Sequence, residues 1–201
     1  MGKKSLGILL FACCLSSAAL AQRDTVRGYP YPGLLRGSLT YSIGTMPSIS
    51  VTNAYLTGNL EYYPDDKMSV RGDLYYFFNS LNNSKIIKQN HQLYFGALYN
   101  FPLHSNFNPF IGIQPGVAYI QLYPVYGSDD PVTFSPLASA IVGFNFFGEK
   151  WFHLSVNIRY AVGKHLDQLT LFNINELSFA FGLGLDLDVL GKTHTHTRAA
   201  D

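Results

Sequence analysis

The sequence predicts an all-β protein, an eight-stranded antiparallel up-and-down transmembrane β-barrel. Three observations predict it. The stretch 176–189 alternates without a break: Leu177, Phe179, Phe181, Leu183, Leu185 and Leu187 are large and apolar, and Ser178, Ala180, Gly182, Gly184, Asp186 and Asp188 between them are small or acidic. Successive strand side chains point to opposite faces, so this segment has one greasy face and one small, polar face. Charged residues make up only 13% of the chain, against about 25% in an ordinary soluble domain, while Tyr and Phe number 14 and 15. Beyond residue 21, no apolar run approaches the ~18 residues that a spanning helix needs. A chain short of charge, rich in aromatic rings and without spanning helices crosses a bilayer with strands.

The first 21 residues read as a secretory signal peptide. Lys3 and Lys4 precede an apolar core, Leu6 to Leu15, and Ala19-Leu20-Ala21 sets small residues where a signal peptidase cuts. Acylation at Cys13 or Cys14 is the weaker reading, because Phe11 stands where a small or β-branched residue is usual. Both cysteines lie in this leader, which excludes a disulfide framework and cysteine-ligated metal from the remainder. The formal net charge is +1, and the leader lysines account for more than that excess. No basic field points to nucleic acid.

Residues 22–33 form an N-terminal coil with Pro30, Pro32 and Gly33. Strand 1, 35–45, sets Leu39, Tyr41 and Ile43 against Arg36, Ser38, Thr40 and Ser42. Strand 2, 54–63, sets Leu56, Leu60 and Tyr62 against Thr57, Asn59 and Glu61. Pro64-Asp65-Asp66-Lys67 turns the chain. Strand 3, 68–79, carries Val70, Leu74, Tyr76 and Phe78 opposite Ser69, Arg71, Asp73 and Tyr75, and a polar loop spans 80–90. Strand 4, 91–101, sets Leu93, Phe95, Tyr99 and Phe101 against Gln92, Tyr94, Gly96 and Asn100. Strand 5, 110–122, sets Ile111, Ile113, Val117 and Tyr119 against Gly112, Gln114, Gly116 and Ala118, with a bulge expected at Pro115. After the loop 123–135, strand 6 covers 137–146, and Phe147-Gly148-Glu149-Lys150 is a turn. Strand 7, 151–162, sets Phe152, Leu154, Val156, Ile158 and Tyr160 against His153, Ser155, Asn157 and Arg159. A loop, 163–172, precedes strand 8, and 191–201 is a polar tail.

Short turns alternate with longer loops, the asymmetry of an outer-membrane barrel, and an even strand number returns both termini to the periplasm. Alternation does not by itself say which face looks outward, and a soluble exported barrel of the lipocalin type would turn its greasy face inward. The small face carries few charges for a water-facing surface, and small residues suit the narrow interior of an eight-stranded barrel. The large residues are therefore placed against lipid. On that basis Phe181→Arg should be costly and Gly182→Ser mild.

The charges then fall inside. Register suggests three lumenal ion pairs: Glu61 with Arg71 across the first short turn; Arg159 with Glu176 across the last loop; and Arg36 with Asp186 and Asp188 where the barrel closes; Asp73 falls on the same small face. Such pairs would plug the lumen; solvated charges in a wet lumen are the alternative. Aromatic residues at strand ends form two expected girdles at headgroup level. Tyr62, Tyr63, Tyr99, Phe101 and Trp151 mark the periplasmic side, and Tyr76, Tyr119 and Tyr160 the outer side.

Candidate chemistry is sparse. His153-Leu-Ser155 with Asp167 superficially resembles the site of lipid A 3-O-deacylase barrels, with Ser as nucleophile, His as base and a carboxylate orienter. His153 and Ser155 belong beside a periplasmic turn and Asp167 in an external loop, too far apart to hydrogen-bond. His194 and His196 make half a metal site on a tail. Asp129-Asp130-Pro131 reads as a turn, and the glycine pairs have no following helix to make a nucleotide loop. No cofactor or metal is expected.

Taken together, the signal, the strand spacing, glycine/aromatic strands such as 112–119 and the terminal strand resemble the small eight-stranded outer-membrane β-barrel family, the OmpA/OmpX-like group. The resemblance covers about 34–190. That family's last strand closes on an aromatic residue, whereas this one ends Leu187-Asp188-Val189-Leu190, which would move the insertion signal inward to Phe179 and Phe181. The resemblance implies a structural or surface-interaction role, without catalysis, through external loops 80–90, 123–135 and 163–172. Its implied partners are outer-membrane lipid, the barrel-insertion machinery and a surface ligand. A narrow channel for small solutes is the alternative function, and a lipid A-modifying enzyme a further one.

Overall fold

In the computed structural model of the chain, residues 30–82, 85–101, 103, 106–123, 132–149, 151–165 and 173–188 are described. The expected signal and most of the coil, residues 1–29, lie outside them, as do the tail from 189, Asp129, Asp130, Asp167, His194 and His196.

Eight strands run in sequence: β1 Leu34–Met46, β2 Val51–Tyr62, β3 Met68–Ser80, β4 Ile87–Asn100, β5 Phe107–Leu122, β6 Thr133–Glu149, β7 Phe152–Gly163 and β8 Glu176–Asp188. Each pairs antiparallel with the next, and β1 with β8 closes the cylinder. The start of β1, the end of β8 and the connections 63–67, 101–106 and 150–151 share one end. The connections 47–50, 81–86, 123–132 and 164–175 share the other.

Several strands outrun their expected limits. Ile87 to Asn90 join β4, so the expected polar loop shrinks to 81–86, and the 147–150 turn contracts to 150–151 because β6 continues to Glu149. In both places the added residues lie at a register shift, Ile87/Gln89 and Phe147/Glu149, which breaks the strict alternation that sequence patterning reads. The β5–β6 ladder reaches Ile120 opposite Thr133, whereas the β6–β7 ladder stops at Leu137 opposite Gly163. This hairpin therefore stands above its β7 neighbour. The bulge expected at Pro115 is absent: β4 and β5 keep one register on either side of it, and the shift falls at Ile87/Gln89. Proline lacks an N–H to donate, but the outward-facing Pro115 costs the ladder a bond rather than its register.

At one end Gly33 takes φ 90°, a backbone region open to glycine, and its N–H bonds the Tyr63 carbonyl at 2.8 Å. In the 63–67 turn, Asp65 Oδ1 accepts from Lys67 N at 2.7 Å and Met68 N at 2.6 Å. Those two donors hold its carboxyl below the ordinary carboxylate range.

The exterior is apolar. Leu39, Leu60, Leu74, Phe95, Ile113, Phe181 and Leu185 are each more than half exposed, a surface that a transmembrane barrel presents to lipid. The interior is not simply small and polar. Tyr55, Tyr75, Tyr94, Met46, Ile87 and Ile120 form an apolar cluster toward the 47–50 end, and Leu98, Phe110 and Ile141 form a second. Glycines make the room. A Cβ on Gly116 would collide with the Tyr94 ring, and one on Gly143 would stand 2.8 Å from Phe110 Cζ. Large rings thus fill the sockets left opposite residues without side chains.

Candidate functional site

The site that the strands build is the lumen. Arg36 on β1, Arg71 on β3 and Arg159 on β7 alternate with carboxylates along it. Asp186 Oδ1 meets Arg36 Nε at 3.1 Å, and Arg36 Nη1 lies 3.8 Å from Glu61 Oε2. Glu61 lies 3.9 Å from Arg71 Nη1; Arg71 Nη2 meets Asp73 Oδ1 at 2.7 Å; Asp73 Oδ2 meets Arg159 Nη2 at 2.9 Å. The three arginines are 1%, 2% and 1% exposed. A charge so buried needs an opposite charge and hydrogen bonds to replace water. Here three cations and three carboxylates form one alternating ladder.

Each guanidinium also lies against aromatic faces. Arg36 sits between Tyr63 and Phe147, 4.9 and 4.8 Å from their centroids. Arg71 lies 5.4 Å from Phe110, and Arg159 lies 4.1 Å from Tyr94 and 5.3 Å from Tyr75. Cation–π attraction grows when the pair is desolvated, and the planar guanidinium stacks where an ammonium would not.

Two expected placements are corrected. Arg159 does not pair with Glu176. In the β7–β8 ladder Arg159 faces Ser178 and Glu176 faces Ala161, and Arg159 reaches across the lumen to Asp73 instead. The described partners of Glu176 are neutral: its Oε2 accepts from Tyr55 Oη at 2.7 Å, Gln92 Nε2 at 3.2 Å and Asn90 Nδ2 at 3.4 Å. Tyr63 does not belong to a girdle. Its neighbour Tyr62 faces out, so alternation turns Tyr63 inward, where its hydroxyl accepts from Arg36 Nη1 at 2.6 Å and donates to Asn100 Oδ1 at 3.3 Å. Asp188 pairs by its backbone with Leu34; its side chain lies outside what the structure describes.

The remaining girdle residues are on the outer wall. Tyr62, Tyr99, Phe101 and Trp151 are exposed toward the 63–67 end. Tyr76 and Tyr160 are exposed and Tyr119 half-buried toward the other. Patterning missed the inward side chains of Leu98, Phe110, Ile120 and Ile141, and it also missed His153 as a partner of Asp186, Nδ1 to Oδ1 at 3.0 Å. The signal was present for the last of these, since both positions fall on the lumenal register of neighbouring strands. His153 and Ser155 are 0% and 1% exposed. They face the interior, where no bilayer lipid reaches. Among the described residues no group of three or more His, Cys, Asp or Glu could hold a metal ion.

The architecture matches solved barrels. The N-terminal β-barrel domain of Pseudomonas aeruginosa OprF aligns with a TM-score of 0.57 at 10% identity, covering 79% of this chain and 100% of that one. The fold is that of the small outer-membrane β-barrels. OprG of Pseudomonas aeruginosa aligns with this barrel at 0.55 and 12% identity, over 81% of this chain and 99% of its own. Ail, the attachment invasion locus protein of Yersinia pestis, aligns at 0.52 and 12% identity, over 78% and 99%. No family model matches the sequence, and no curated protein does.

Proposed function

We propose that this chain is exported by residues 1–21, inserted into the outer membrane by the barrel-insertion machinery, and works there as a closed barrel. Its role is structural or adhesion-like, exerted through the connections 81–86, 123–132 and 164–175. One observation carries the closed lumen: the alternating ladder from Asp186 to Arg159, whose three arginines are each stacked on an aromatic ring. Opening a path for solute would separate buried opposite charges. The likeness to Ail, named for attachment, supports work at the surface. No catalytic step is assigned: among the described residues His153 and Ser155 are buried on the inner face.

The refolded mature protein should shift its gel mobility between unheated and heated samples, as a folded barrel does. In planar bilayers it should show no steady conductance, and steady open steps would overturn the closed lumen. Cells displaying the protein should lose adherence to matrix-coated surfaces when 123–132 is replaced by a short glycine–serine linker. Unchanged adherence would remove that loop from the role. A narrow channel is the second reading. The continuity of lumenal polar groups between His153 and Glu176 favours it, and the conductance measurement separates the two.

A further inference from the structure

Gly37, Gly58, Gly72 and Gly148 face outward on their strands. The Phe152 ring covers Gly148, where a Cβ would collide with it. The other three are open: a Cβ would meet nothing nearer than 3.8 Å on Gly37, 4.0 Å on Gly58 and 3.7 Å on Gly72. Glycine weakens a strand interior, and it marks a bulge, a left-handed backbone or a place where another chain comes close. None of the three lies at a register shift, and none has a positive φ. Packing inside the barrel does not call for them either, because they point away from it.

The three share one patch with leucines. Across β1–β2, Gly37 faces Leu60 and Leu39 faces Gly58; across β2–β3, Leu60 faces Gly72 and Gly58 faces Leu74. Leu39, Leu60 and Leu74 are 61%, 59% and 52% exposed. Each glycine thus has a leucine beside it and each leucine a glycine, and together they line an apolar depression of about 870 Å³. Fluid hydrocarbon follows a wall of any shape and needs no such alternation. In a bilayer no hydrophobic force joins two apolar walls, so association rests on packing, and small residues let backbones approach.

We propose that this patch is the contact face of a homodimer in the membrane, occupied by a second copy of this chain. In a two-fold interface one surface meets itself, so residue i touches j and j touches i. A surface that alternates knob and hole along and across its strands fulfils this: leucines of one barrel enter over glycines of the other. The two-fold axis lies along the membrane normal beside β2, which keeps both copies in the same orientation. The inference rests on the membrane-spanning reading, which the gel-mobility shift tests separately.

Both cysteines lie in the leader, so Asp66→Cys gives the mature protein a single thiol in the 63–67 turn, at the β2–β3 end of the patch. Val132→Cys gives one just before β6, across the cylinder. Each would be labelled with donor or acceptor dye, refolded and mixed at high dilution in phospholipid vesicles. Energy transfer should be strong between Asp66→Cys labels and weak between Val132→Cys labels. Adding Gly58→Leu to Asp66→Cys fills a hole and should lower the paired fraction about tenfold, the scale of a few overpacked methylenes. Heated and unheated gels would confirm that this variant is folded. The comparison of the two label sites does not depend on it. Transfer no stronger than for barrels scattered at random, equal transfer from both sites, or a folded Gly58→Leu that pairs as before would overturn the proposal.

Discussion

Replacing Asp73 with asparagine tests the lumenal ladder at its most connected point. Asp73 Oδ1 accepts from Arg71 Nε and Nη2 at 2.9 and 2.7 Å. Its Oδ2 accepts from Gln114 Nε2 at 2.9 Å and lies 2.9 Å from Arg159 Nη2 in an ion pair. Asparagine is nearly isosteric but neutral, and it turns an amide N–H₂ toward one of two buried cations. Arg71 would keep only the distant Glu61, and Arg159 would keep its contacts to Tyr75 and Ser139, which carry no charge. Breaking a buried ion pair by removing one partner costs about 3–5 kcal/mol, and Asp73→Asn should fall in that range. The measurement is urea unfolding of the refolded protein in phospholipid vesicles, followed by gel mobility and by the fluorescence of Trp151, the only tryptophan. Asp66→Asn, in the exposed 63–67 turn, should leave the unfolding curve in place. A loss below about 1 kcal/mol for Asp73→Asn would mean that water reaches both arginines, and the sealed lumen would fall with it.

Three further outcomes are expected. Phe181→Arg, on the lipid face at 54% exposure, should cost about 2–4 kcal/mol if it meets the bilayer midplane; an unchanged unfolding midpoint in vesicles would contradict that position. Gly182→Ala should be far more damaging than Gly58→Ala when the two are unfolded side by side. A Cβ at 182 would stand 2.5 Å from Thr40 Cα and collide with the Leu39 carbonyl, while one at 58 meets nothing nearer than 4.0 Å. Equal stability of the two variants would show that β1 and β8 can spread. The depressed Asp65 carboxyl contributes stability that is present above its unfolded-state pKa and is lost as pH falls through its lower folded value. Asp65→Ala should therefore flatten the acid limb of the pH–stability profile, and an unaltered limb would remove Asp65 from it.

The strands were legible because a half-buried strand needs only its own residues to reveal its faces. Leu177 to Leu187 show this alone. Neighbouring-strand pairs such as Glu61 with Arg71 were legible for the same reason, since a short turn fixes their register. Contacts across the lumen were not. Arg159 finds Asp73 from the far side of the cylinder, a relation set by strand tilt and closure that no local spacing encodes. The expectation that Gly182→Ser would be mild fails likewise. It treated lumenal glycines as spare room, whereas the space above them holds backbone or rings such as Tyr94 over Gly116. Tyr63 was misplaced by counting it with Tyr62, although adjacent strand residues cannot share a face.

The hairpin that overshoots its neighbour also shapes how the molecule meets its surroundings. Residues 133–136 rise past the last β7 partner, about 13 Å of strand at the usual rise per residue. The opposite side ends in the tight 47–50 link. Among the described residues the rim is therefore lopsided, with a parapet on one flank and a low sill on the other. A large body arriving from above would touch the parapet first and pivot toward the sill, so contact would have a preferred compass bearing around the cylinder axis.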